Sequence, residues 1–235
     1  MSEENKRSIR ISVRNLVEFV LRSGDIDNRR SGNAQKDAML AGGRIHRKIQ
    51  KRMGSGYRAE VPLKHEVTDD EQEIVLSVEG RADGIFTENG ITVIDEIKGM
   101  YTDVARLEAP IEVHLAQAMC YGYIYCCDKD LDGIRLQLTY CNLETEEIRR
   151  FQTDRSKEEL EQWFSGVVHE YFKWARYLYH HELTREASIR NLEFPYPYRE
   201  GQRDLVVSVY RTISRKKRLF IQAPTGIGKT LSTVF

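Results

Sequence analysis

One dipeptide constrains this chain more than any other feature. Asn89-Gly90 lies between two strand-like runs, Glu73 to Phe86 and Ile91 to Lys98. Asn-Gly supplies the two positive φ angles of a type I′ turn, so it joins antiparallel strands through a two-residue loop and fixes their register. Phe86 then faces Val93, and Asp83 faces Glu96. Side chains alternate along a strand, so Ile94, Glu96 and Lys98 share one face and Asp95 takes the other. Directly opposed Cβ atoms lie about 5 Å apart. Two carboxylates that close repel unless a proton or a cation sits between them, and a hard divalent cation such as Mg2+ or Mn2+ suits oxygen ligands. An ammonium on the same face, Lys98, can neutralise charge developing on a phosphate or orient a metal-bound water. Metal, carboxylates and lysine together suit phosphodiester hydrolysis.

The hairpin sits in an α/β pattern. Ser12 caps a helix from Val13 to about Arg22. A second helix runs from about Asp37 to Met53, with Ala38, Ala41, Ile45, Ile49 and Met53 at helical spacing. A strand from Tyr57 to Val67 precedes the hairpin, and a helix from Ile111 to about Cys126 follows it. Strands Gly133 to Tyr140 and Glu146 to Phe151 come next. Ser156 and Glu159 form a capping box for a long helix reaching about His181. Thr184 to Pro197, with its FPYP run, reads as a junction, so residues 1–185 and 186–235 are expected as separate domains. Beyond it come a helix from Gly201 to Arg211, a short strand from Leu219 to Gln222, and APTGIGKT from Ala223 to Thr230.

That last motif matches the phosphate-binding P-loop with Ala in its first position. Backbone N–H groups of Thr225, Gly226, Ile227, Gly228 and Lys229 would cradle phosphates. Lys229 would reach the β- and γ-phosphates of ATP, and Thr230 would hold Mg2+. The chain stops at Phe235, so the motif is expected to open a motor domain whose remaining parts lie outside this sequence.

The order His46, Asp83, Glu96-Ile97-Lys98, Gln117-x-x-x-Tyr121 resembles the RecB-type branch of the PD-(D/E)XK nuclease superfamily, over roughly residues 37 to 142. The resemblance implies a restriction-endonuclease-like core in the order helix, three strands, helix, strand. It implies His46, Asp83, Glu96 and the Ile97 carbonyl as metal ligands and Lys98 as catalytic lysine. Gln117 and Tyr121, one helical turn apart, would orient the DNA or Lys98. Asp95 neighbours the position where many relatives place an acidic ligand; sharing a face with Lys98 favours Glu96. Glu60 is a weaker candidate and is set aside. Some relatives carry an iron–sulfur cluster on four cysteines, one of them upstream. Here no cysteine precedes Cys120, so no cluster is expected in this segment.

FPYPYREGQ, Phe194 to Gln202, resembles the entry to the motor of XPD/DinG-type superfamily 2 DNA helicases, with Arg199 and Gln202 at the positions that contact adenine. The combined expectation is a metal-dependent nuclease domain joined to an ATP-dependent DNA helicase, serving DNA repair. The alternative is a nuclease fold that only grips DNA and feeds the motor. Lys plus Arg equals Asp plus Glu, 36 each, so any DNA-binding surface must arise from local segregation of charge; the basic clusters are Arg44, Arg47, Lys48, Lys51 and Arg52, and Arg215, Lys216, Lys217 and Arg218, each of which by itself reads as a solvated helix face. No long apolar run suggests a membrane span, the N-terminus lacks the apolar core of a secretory signal, and a cytoplasmic location is expected.

Overall fold

The computed structural model describes residues 6–22, 32–69, 71 and 73–234, without the side chains of residues 32–39. The chain divides into two compact units, Met1–Tyr179 and His180–Phe235.

The first unit is built on a mixed sheet of β1 (Arg7–Ser12), β2 (Arg58–Thr68), β3 (Ile74–Glu88), β4 (Ile91–Met100), β5 (Gly133–Asn142) and β6 (Ile148–Ser156). β3 is the axis. Along one edge it pairs antiparallel with β2, from Val75 to Ile85. The opposite edge is shared: β1 lies parallel against Ile74–Glu79, and β4 lies antiparallel against Gly84–Glu88. The hairpin has the register that Asn-Gly dictates, with Phe86 opposite Val93 and Asn89 and Gly90 at φ 51° and 79°. β5 then runs parallel to β4, and β6 returns antiparallel to β5.

Two helices sandwich β4 and β5. α3 (Glu112–Lys129) covers the face of Ile94, Leu136, Leu138 and Tyr140. α2 (Gly32–Arg52) covers the other, where Ile45 and Ile49 enclose Ile97 and Cys141. Burying each aliphatic side chain of this kind contributes about 1.5–3 kcal/mol. α1 (Val13–Val20) is capped by Ser12, whose Oγ accepts the Asn15 N–H at 3.1 Å. α4 (Lys157–Ile189) starts at a reciprocal capping box: Glu159 N–H donates to Ser156 Oγ at 3.2 Å, and Ser156 N–H to Glu159 Oε2 at 3.0 Å.

Three expectations change. β1 was not anticipated, although Ser8-Ile9-Arg10-Ile11-Ser12 alternates in the manner of a half-buried strand. α4 extends past His181 to Ile189. Leu219 to Gln222 forms no strand: residues 217–224 have no regular structure, and Phe220 is 94% exposed. A strand needs a partner edge for its N–H and C=O groups, and among the described residues every paired strand belongs to the first unit. The second unit's helices beyond α4 are α5 (Gln202–Ser214) and the short α6 (Lys229–Val234). Among the described residues, no helix is long and apolar enough to cross a membrane.

Candidate active site and a glycine-rich loop

The site forms where the β3–β4 ladder stops. Pairing ends at Gly84 with Asp95, and from Glu96 onward β4 pairs with β5 alone. The Ile97 N–H that would have bonded to β3 backbone is taken instead by the side chain of Asp83, at 2.7 Å to Oδ2. Asp83 therefore pins the mouth of the opening. His46, on α2, reaches it from the other face of the sheet, with Nδ1 3.3 Å from Asp83 Oδ1. Burial lowers the His46 pKa, but the hydrogen bond and charge of Asp83 outweigh it and the net shift is upward.

Glu96 and Lys98 share a face, as strand alternation requires. Lys98 Nζ donates to Glu96 Oε1 at 2.6 Å and to Gln117 Oε1 at 2.8 Å, so α3 holds the ammonium in place. Glu96 is 4% exposed. Burial, and then the charge of Asp83, push its carboxyl upward against the opposing pull of Lys98. Its Oε2 is buried with no hydrogen-bond partner among the described residues. An oxygen left in this state costs about 1–3 kcal/mol, and a cation ligand is one chemistry that removes the cost. The donor set fits a hard cation: two carboxylates, a histidine and a backbone carbonyl. In the form described, however, His46, Asp83 and Glu96 do not bring one ligand atom each to within 4.8 Å of one another. Lys98 occupies Glu96, and His46 leans on Asp83.

Tyr121, one turn along α3 from Gln117, does not reach Lys98. Its hydroxyl lies over Gly80, where a Cβ would come within 2.7 Å of it, and meets the Arg81 backbone.

Asp95 points to the opposite face. Its carboxylate accepts from Tyr57 Oη at 2.9 Å and from Thr139 Oγ1 at 2.6 Å and is fully buried. Desolvation raises its pKa despite these donors. Asp95 thus anchors β4 from behind while Glu96 faces the opening.

Sequence reasoning missed Gln50. It lies one turn beyond His46 and donates to the Asp83 carbonyl at 3.0 Å and to Glu60 Oε1 at 3.3 Å. Glu60 falls opposite Asp83 in the β2–β3 register yet is left out of the ladder, at φ 53°. A left-handed non-glycine residue costs about 1–2 kcal/mol. The i, i+4 spacing of His46 and Gln50 was the only available signal.

In the second unit, the loop Thr225–Gly228 turns through Gly226 and Gly228 at φ 88° and 82°. Lys229 Nζ folds back onto the Ala223 and Pro224 carbonyls at 3.0 and 2.9 Å, and Thr230 lies in the first turn of α6. Arg199 and Gln202 lie beside this loop. The Arg199 guanidinium donates to the Gly226 carbonyl, and the Arg199 N–H to Gln202 Oε1 at 3.0 Å. Gln202 is 3% exposed and lies so close to Gly228 that a Cβ there would sit 2.5 Å from its Nε2. Ile227 Cδ1 lies 3.5 Å from a Cβ built on Gly201.

Part of the chain is similar to a helicase. Over 40 residues it is 48% identical to a probable ATP-dependent helicase of Methanocaldococcus jannaschii; the match takes in 17% of this chain and 6% of that protein's length. No family model matches. Among solved structures, an alkaline exonuclease from Laribacter hongkongensis aligns with 76% of this chain and 93% of its own, at 12% identity and a TM-score of 0.45. The structure of SSO0001 aligns with 72% of this chain and 77% of its own, at 18% identity and a TM-score of 0.44.

Proposed function

We propose that the first unit is a metal-dependent DNA nuclease and that the second belongs to the ATP-binding domain of a DNA helicase of the XPD/DinG type. The observation that carries the nuclease reading is the opening beside Asp83. There Asp83 and Glu96 project with Lys98, held by Gln117, and with His46 brought in by α2. His46, Asp83, Glu96 and the Ile97 carbonyl would hold Mg2+ or Mn2+. When bound, the cation supplies a water of lowered pKa and stabilises negative charge on the phosphate. The Lys98 ammonium would stand against a phosphate oxygen as charge develops, and Gln117 would keep it aimed. Asp83 would both ligate the cation and, through the Ile97 N–H, hold the opening at fixed width. The helicase reading is supported by the P-loop with Arg199 and Gln202 against it, and by the 40-residue match to a probable helicase.

The test is cation-dependent cleavage of labelled DNA. Glu96→Ala and Lys98→Ala should each lower the rate by about a hundredfold or more, since removing electrostatic stabilisation of this kind costs about 3 kcal/mol. The alternative is a DNA-gripping module, a nuclease fold that binds DNA and feeds the motor without cutting it. Cleavage that survives both substitutions, after contaminating nucleases are excluded, rejects the nuclease assignment in favour of that module.

A further inference from the structure

α2 does more than carry His46 and Gln50. From Arg44 to Arg52 it bears five cations and no carboxylate. At about 100° per residue, Ile45 and Ile49 mark the buried direction and His46 and Gln50 one flank. Arg44, Arg47 and Lys51 point away from the core, and Lys48 and Arg52 occupy the second flank. All five cationic side chains are exposed. A merely solvated helix face usually interleaves both signs; this one does not, in a chain whose total charge is zero. Among the described residues Arg44, Arg47 and Lys51 have no carboxylate at ion-pair distance. Lys48 and Arg52 share one: Glu146, in the β5–β6 turn at φ 59°, offers its carboxylate oxygens to Lys48 Nζ, with Arg52 Nη2 at 3.7 Å. Glu146 is thus the one carboxylate, among the described residues, that this face of α2 engages. The run from Arg44 to Arg52 is about 12 Å long, enough for about two or three successive phosphates of one strand.

We propose that the exposed face of α2 is the contact surface for a DNA phosphate backbone, and that Glu146 competes with that backbone for Lys48 and Arg52. The surface adjoins the Asp83 opening through the same helix, so backbone bound there is positioned for the His46 side of the site. This rests on the nuclease reading for its choice of partner. Phosphate neutralisation releases counterions, so log K against log salt falls with a slope of about 0.9 per contact.

The experiment measures fluorescence anisotropy of a short labelled duplex bound by the full chain, in the Lys98→Ala background and in EDTA, across a salt series. Arg47→Ala with Lys51→Ala should make the slope shallower by about 2. Glu146→Gln, a near-isosteric change on an exposed turn, should make it steeper by about 1 to 2 and tighten binding. A variant that merely unfolds cannot bind more tightly, so the second substitution guards the first. Slopes unchanged within about 0.5 in both overturn the proposal. Because no cation or cleavage is involved, that failure leaves the nuclease reading standing. Conversely, intact slope changes alongside cleavage indifferent to Glu96 and Lys98 reject the nuclease reading and retain this one.

Discussion

Gly84 follows Asp83 and lies under the ring of Tyr57. A Cβ built there would be 1.8 Å from both Cζ and Oη of Tyr57, a separation no side chain tolerates. Gly84→Ala must therefore evict Tyr57, which is 9% exposed. Three losses follow. The 2.9 Å hydrogen bond from Tyr57 to the buried Asp95 carboxylate goes, at about 1.5–3 kcal/mol for a charged acceptor. The stack on Phe86, with ring centroids 5.7 Å apart, goes at about 0.5–1.5 kcal/mol. Burial of the ring is reduced, at up to about 1.5–3 kcal/mol. Stiffening of the unfolded chain by Ala returns about 0.4–1 kcal/mol. The terms combine to a net destabilisation of about 2.5–7 kcal/mol. Denaturant unfolding followed by tryptophan fluorescence reads it in the first unit, because both tryptophans, Trp163 and Trp174, lie there on α4. The decisive measurement is the double-mutant cycle. Once Tyr57→Ala has removed the ring, Gly84→Ala should cost less than about 0.5 kcal/mol more. Costs that simply add would refute the steric argument.

Two further substitutions test other parts of the structure. Thr139→Val deletes the 2.6 Å bond to Asp95 and should lower stability by about 1.5–3 kcal/mol; cleavage per folded molecule should persist, because Asp95 faces away from Glu96, and a proportionate loss of cleavage would place Asp95 in the chemistry. Lys229→Ala should weaken binding of a fluorescent ATP analogue by at least about tenfold, a loss of about 1.4 kcal/mol for a charge-assisted contact, and unchanged affinity would remove Lys229 from the phosphate site.

Much of the site's arrangement was legible because it depends on local geometry. Asn89-Gly90 admits one tight turn, so the register of β3 on β4 followed. Alternation then assigned Glu96 and Lys98 to one face and Asp95 to the other. The family resemblance, rather than any spacing, named Gln117 as a partner of Lys98, and Ser156 with Glu159 announced the start of α4. Local pattern misled where a segment's state depends on a distant partner. Leu219 to Gln222 has strand composition but no paired edge among the described residues. Arg7 to Ser12 becomes a strand because β3 offers it an edge.

By itself, then, the sequence determined which side chains could share a face, where the tight turns fall and where a P-loop could form. These are consequences of backbone sterics and of periods of two and 3.6 residues. Only the tertiary structure decided that the ladder opens at Asp83, that His46 and Gln50 arrive there from α2, that Tyr121 seats on Gly80 instead of Lys98, and that Gly84 must lack a Cβ. Each of these depends on elements far apart in the chain meeting at ångström separations, and no local periodicity encodes such a meeting.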